Sequence, residues 1–391
     1  MSARTEIHWF MSPSVIRNAR SAVALTFLVH GFVVGSWIAH IPLAKDRLNV
    51  GTGVFGLALL ALAVGAIIAM PLSGGLINRF GSARVTTFTG IAFCLAFIMP
   101  PLAPDLLTFV LVAIVFGATI GSMDVAMNAH GIAVEKAMRR ATMSFLHAAF
   151  SIGAMAGSLL GALLLIVLGE TGHIFLAAAI GLILFLFCFR YFLPGDTDKG
   201  LSGAGFVWPT RATIGLGALC FLALMAEGAI VDWSGLMLRQ RFLLDAGMAA
   251  LGFAAFAAGM SFSRLVGDRM RMKFGAARLV RWSALLMALG LAAALVIPSA
   301  LIAIIALALA GIGIGNAAPI LFAGGGRLEP DAPGRGIAAV TTLGYAGFLA
   351  GPPLIGFVAE LTGLTAALGL VVLASLVIAA SARAAGAADA Y

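Results

Sequence analysis

The chain has 391 residues, of which 62% are hydrophobic and only 10% charged, with a formal net charge of +8. With a mean hydropathy of +1.09, it has too few polar side chains to clothe a water-soluble fold of this size. This is an integral membrane protein, and its basic excess reports orientation in a bilayer rather than affinity for nucleic acid.

Roughly twenty apolar residues cross the hydrocarbon core as a helix. Twelve stretches qualify, near 20–41, 52–77, 84–101, 106–129, 143–167, 174–193, 212–236, 249–267, 279–297, 301–325, 337–359 and 366–383. The segment before them, MSARTEIHWFMSPSVIRNAR, is polar and arginine-bearing. It lacks an apolar core followed by a small-residue cleavage site, so no cleaved signal is expected. Cys94, Cys188 and Cys220 fall within expected spans with neither disulfide nor metal-ligand spacing, which makes them packing residues. With both ends inside, 20 of the 24 Lys and Arg are cytoplasmic or flank the cytoplasm, and Lys45, Arg47, Arg239 and Arg241 lie outside. A multi-pass monomer of the cell inner membrane, with both termini cytoplasmic, is the expectation.

RFGSARV (79–85) and KFGAARL (273–279) lie 194 residues apart. Gly117 and Gly121 map at the same offset onto Gly311 and Gly315, and Gly153 and Gly157 onto Gly347 and Gly351. The chain is therefore read as a duplicated six-helix unit, 1–193 and 212–391, joined by the Gly- and Ser-bearing linker 194–211. An even number of spans per unit makes the repeats parallel, related by an axis along the membrane normal.

The loop GGLINRFGSAR (74–84) is similar to the signature loop of the major facilitator superfamily, a glycine, then an acid, then an arginine, a glycine and further basic residues. Asn78 stands in place of the acid, and Ser82 and Ala83 in place of basic residues. The resemblance implies two six-helix halves, alternating access, and a cytoplasmic gate involving Asn78, Arg79, Gly81 and Arg84. GSWIAHIP (35–42), DVAMNAHG (124–131), SFLHAAFSIG (144–153) and EGAIVDWSG (227–235) resemble the YbjJ-like branch. More distantly, the spacing of Asp124 and Asn128 resembles the acid-x-x-x-Asn of span four in the proton-coupled fucose permease, whose first-span acid has no counterpart here.

A charge at mid-bilayer costs at least about 2.5 kcal/mol, so such groups face a cavity or a partner. Asp124 lies roughly 27 Å along its span, with Asn128 on the same helix face, and His147 about 8 Å into the next span. The acid and the histidine come to similar depths and are expected to touch, either as a proton site or as a fixed structural pair. Glu227 lies roughly 22 Å into span seven, which holds no basic residue, and His30 on the first span is its expected partner across the cavity. Asp232 is about 140° around from Glu227 and is a candidate for the solute. Trp233 reads as an outer-leaflet anchor. Trp37 shares the face of His30 and offers a surface for a sugar or planar solute. Asn316 and Tyr345 supply neutral hydrogen bonding from the second half. Gly153, Gly157 and Gly161 form a flat face for helix approach, and Gly351, Pro352 and Pro353 are a candidate gate hinge in span eleven.

No phosphate loop, metal cluster or catalytic triad is visible, and GIGIGN (311–316) lies inside a span rather than after a strand. No enzyme activity and no cofactor are expected. The reading is a secondary transporter of a small organic solute, coupled to protons by Asp124, His147 and Glu227. The alternatives are a proton-driven exporter of amphipathic compounds, whose span-five glycine motif GAMAGSLLG resembles except for Ser158 in place of proline, and a receptor or scaffold that moves nothing.

Overall fold

The computed structural model describes residues 12–140, 142–194, 209–330 and 332–389. Thirteen α-helices run through them: α1 (Pro13–Leu48), α2 (Thr52–Phe80), α3 (Ser82–Ala96), α4 (Met99–Leu102), α5 (Leu106–Met138), α6 (Met143–Cys188), α7 (Ile214–Phe242), α8 (Ala246–Phe274), α9 (Ala276–Val296), α10 (Ala300–Ile314), α11 (Ala317–Leu328), α12 (Pro333–Thr362) and α13 (Leu364–Ser381). Eleven helical segments are long and apolar enough to cross a membrane, the longest spanning Met143–Tyr191. That one is two crossings. Its Gly169 has φ 67° and ψ −178°, which breaks the helix. Before the break, Gly153 rests on Leu28, Gly157 on Phe32 and Gly161 on Ala39, and after it Gly181 is back against Val29 and Val33. The chain climbs α1 and descends it again. The described residues thus make twelve crossings, in the order expected from the sequence, and most of the linker lies outside them.

The repeat is visible in the backbone. Gly81 and Gly275, 194 residues apart, turn with φ 83° and 79°, and Gly169 and Gly363, at the same offset, with φ 67° and 84°. Asn49 and Leu243 both close their helices in the left-handed region. A Cβ on Gly117 would strike the carbonyl of Leu62, and one on Gly311 that of Phe256, again 194 residues on in both partners. Equivalent residues hold the ends of the third spans: Arg47 donates to the Pro101 carbonyl and Arg241 to those of Leu295 and Val296, covering carbonyls that a helix end leaves without partners.

Both described chain ends lie on one face, called here the terminal face. The halves meet toward the opposite face. There, Thr52 Oγ1 and Gly53 N donate to Glu360 Oε2 at 2.7 and 3.1 Å, and Arg239 Nη1 pairs with Asp46 Oδ2 at 2.5 Å. Ser158 Oγ donates to the Ala250 carbonyl at 2.8 Å. Between these links Trp233 stacks edge-on against Phe55, ring centroids 6.2 Å apart, and Gly56 lies against the Pro352 carbonyl. Trp233 is fully buried, so it plugs the seam between halves instead of anchoring in the outer leaflet. The proline pair does not end its helix, since α12 runs on through Pro352 and Pro353. The helix break of the second half falls in span ten, where Gly315 and Asn316 separate α10 from α11. Toward the terminal face a Cβ on Gly74, Gly75 or Gly334 would meet nothing within 4 Å.

Candidate functional site: a polar cleft between the halves

Arg264 on α8 lies between the two halves. Its Nη2 lies 3.6 Å from Glu227 Oε1 on α7, both side chains being largely buried. Its Nε donates to the Gly315 carbonyl at 3.3 Å, and its Nη1 to Ser151 Oγ on α6 at 2.6 Å. The Gly315 carbonyl lies where the α10 helix gives way, and discontinuous helices within membranes present backbone groups of this kind where a cavity or neighbour satisfies them. Asn316 fixes the broken segment, its Nδ2 donating to both the carbonyl and the hydroxyl of Ser263 at 2.8 Å. The sequence placed Asn316 among solute contacts; its donors are turned to α8.

On the first-half side, Asn128 Nδ2 donates to the Asp124 carbonyl at 2.8 Å and to Oδ1 of the same residue at 3.2 Å. The i, i+4 spacing thus forms the expected pair. Tyr345 on α12 is within electrostatic reach of both Asp124 and Glu227, one carboxylate from each half. Tyr345 is 40% exposed and Phe348, packed on Gly228 beside Glu227, 36% exposed. Both side chains keep accessible surface at the depth of Glu227, and the seam described above closes the far side of the cleft.

Two expected pairs do not form. Among the described residues no hydrogen bond or ion pair joins Asp124 to His147; the His147 ring is exposed, edge-on to Phe27 at 5.4 Å, and within electrostatic reach of Arg264. Nor does His30 face Glu227. Its ring is buried inside the first half between Phe93 and Phe150, centroids 4.7 and 5.5 Å away, and neither ring nitrogen has a partner. The charge that meets Glu227 is Arg264. Trp37 is also enclosed, 3% exposed between Phe109 and Phe116. Asp232 is half-buried without a hydrogen-bond or ion-pair partner among the described residues. At the terminal face Asn78, Arg79 and Arg84 are exposed, Arg79 lying over the Phe80 ring at 5.0 Å, and Gly81 makes the positive-φ turn its motif needs. Gly351 is buried against the Met225 carbonyl, with Pro352 and Pro353 at the seam.

The sequence reading missed a second cluster altogether. His40 Nε2 and His173 Nδ1 are 2.8 Å apart, His40 Nδ1 is 3.4 Å from Glu170, and Glu170 also pairs with Arg47. These groups tie α1 to the hairpin inside α6.

Residues 23–323 match the family model of the Major Facilitator Superfamily. The chain belongs to that superfamily. It is 37% identical over 382 residues to an uncharacterised transporter of the same type from Yersinia pestis, covering 97% of this chain and 99% of that one. It is 32% identical to the membrane protein MosC of Rhizobium meliloti, covering 92% and 88% of the two chains. In fold it is similar to a bacterial homologue of the human lysosomal transporter Spinster, with a TM-score of 0.74, 13% identity, and coverage of 96% and 97%. The superfamily member described here is thus a multi-pass membrane transporter, with a small-molecule solute and a bilayer as its partners.

Proposed function

We propose that the protein is a secondary active transporter that carries a small organic solute by alternating access, with protons as the coupling ion. In this reading the terminal face is cytoplasmic, the membrane is the cell inner membrane, and the working unit is a monomer. The observation that carries it is the cleft itself. Asp124 from one half and Glu227 from the other lie within electrostatic reach of Tyr345, the seam beyond them is shut, and in this reading the cleft opens toward the termini. Ionisable groups at this depth face function before structure. A carboxylate that gives up its proton on one side and takes one on the other exchanges charge with the bath only when the cleft opens to it. Rocking the two repeats about the centre supplies that exchange.

The solute would lie among Tyr345, Phe348, Asn128 and Asp124, which combine ring faces with few, placed polar groups. Small polar solutes found to stabilise the purified protein should show counterflow in proteoliposomes. They should then accumulate when an inward proton gradient is imposed. Counterflow without accumulation would remove the proton. Stabilisation without counterflow would leave a receptor.

A further inference from the structure

We infer that Arg264 is a positioning residue that connects the protonation state of Glu227 to the contact between the halves. This rests on the transport reading above and deepens it. Arg264 belongs to the second half, yet it holds Ser151 of the first at 2.6 Å, closer than the Gly315 carbonyl of its own half at 3.3 Å. The Ser151 hydroxyl is 1% exposed as a residue and donates its own proton to the His147 carbonyl at 3.1 Å, so its lone pairs are free to receive the guanidinium. On the other side of the same guanidinium, Glu227 stands at 3.6 Å. One planar fork is therefore shared between an acid of its own half and a hydroxyl of the other.

The sharing sets a sign. Ionised Glu227 draws Arg264 toward its own half and weakens the bond to Ser151 of the other half. When Glu227 takes a proton, its charge is gone and the guanidinium rests on Ser151 and the Gly315 carbonyl. Protonation thus holds spans five and eight together and favours the state seen here, open at the terminal face. The other ionisable or polar groups near the pair are Tyr345 from α12 and Cys220 from α7 within reach of Glu227, and His147 from α6 within reach of Arg264, with Asp124 from α5 beyond Tyr345. His147 carries the competing explanation for any pH effect, being the imidazole four residues before Ser151 whose carbonyl accepts the Ser151 hydroxyl.

The experiment reads conformation and needs no known solute. Spin labels are placed at Ser144 and Ile337, exposed positions at the terminal ends of spans five and eleven. Distances between them are measured in nanodiscs across about pH 5 to 8. The full-length protein should show two populations, with the wide one gaining as pH falls. Glu227→Gln should be wide at every pH. Ser151→Ala should lower the wide-to-narrow ratio at low pH by about tenfold, the size of one charge-assisted hydrogen bond, and Ser151→Thr should restore it. Arg264→Lys, which keeps the charge but loses the fork, should behave as Ser151→Ala does. A wild-type pH response in Ser151→Ala would overturn the inference, as would a response that survives Glu227→Gln and vanishes in His147→Gln. Either result leaves alternating access intact. One fixed distance at all pH values in the unsubstituted protein would overturn both.

Discussion

Asp124 holds a carboxylate in a helix whose other polar contact at that level is one amide. Asn128 donates to it at 3.2 Å, and no cation joins it among the described residues. Replacing the acid by Asn keeps the shape and the neighbouring amide but removes the proton-binding group. Asp124→Asn should therefore lower gradient-driven accumulation at least about tenfold while counterflow persists, since the fold and the cleft remain. Equal loss of both would make the residue structural. Asp124, Asn128 and Glu227 were legible in the sequence because a charge or amide within an apolar run stands out. Arg264 was not, since it lies seven residues before Arg271 in the basic end of α8, Arg271–Phe274, and merges with it when charges are counted by side of the membrane. The pairing of His30 with Glu227 failed for another reason: depth along a helix is readable from spacing, but rotation about its axis is set by packing, here by Phe93 and Phe150.

At the scale of the helix, glycine does two separable jobs. A Cβ on Gly157 would lie 2.0 Å from the Phe32 carbonyl, so α1 and the first arm of α6 touch backbone to backbone. At Gly169 the same Cβ would meet nothing, but φ is 67°. Gly157→Ala must push two helices apart and should destabilise by about 1–3 kcal/mol or more. Gly169→Ala strains the turn alone, at about 1 kcal/mol. Thermal unfolding in detergent should rank them in that order, and the reverse ranking would mean that the hairpin turn, not the helix contact, limits stability. The 194-residue offset announced the close-packed faces, because a duplicated contact leaves small residues at duplicated positions. That the break of span ten sits at Gly315 and Asn316, while α12 runs on through Pro352 and Pro353, was not legible from residue types, since membrane helices carry proline where neighbours satisfy the freed carbonyls.

For the molecule as a whole, the seam at the face opposite the termini decides which way the cleft opens. The N-terminus of α2 begins at Gly51, which has no side chain to cap it. Glu360 fills that role from the other half, placing a negative charge on the exposed amides and the positive end of the helix. Asp46 and Arg239 add an ion pair beside it, and the buried Phe55 and Trp233 rings close the gap below. Because both polar links are largely exposed, each contributes modestly and is weakened by salt. In Asp46→Asn with Glu360→Gln, labels at Pro104 and Leu243, exposed on that face in the two halves, should report a wider separation. The fraction open at that face should rise by about threefold, and added salt should mimic part of that rise in the unsubstituted protein. The same positions fix the sidedness: an impermeant maleimide added to intact cells should modify a cysteine at Leu243 and spare one at Ser144. Labelling in the opposite pattern would put the termini outside, and the seam described here would then close the cytoplasmic end of the cleft.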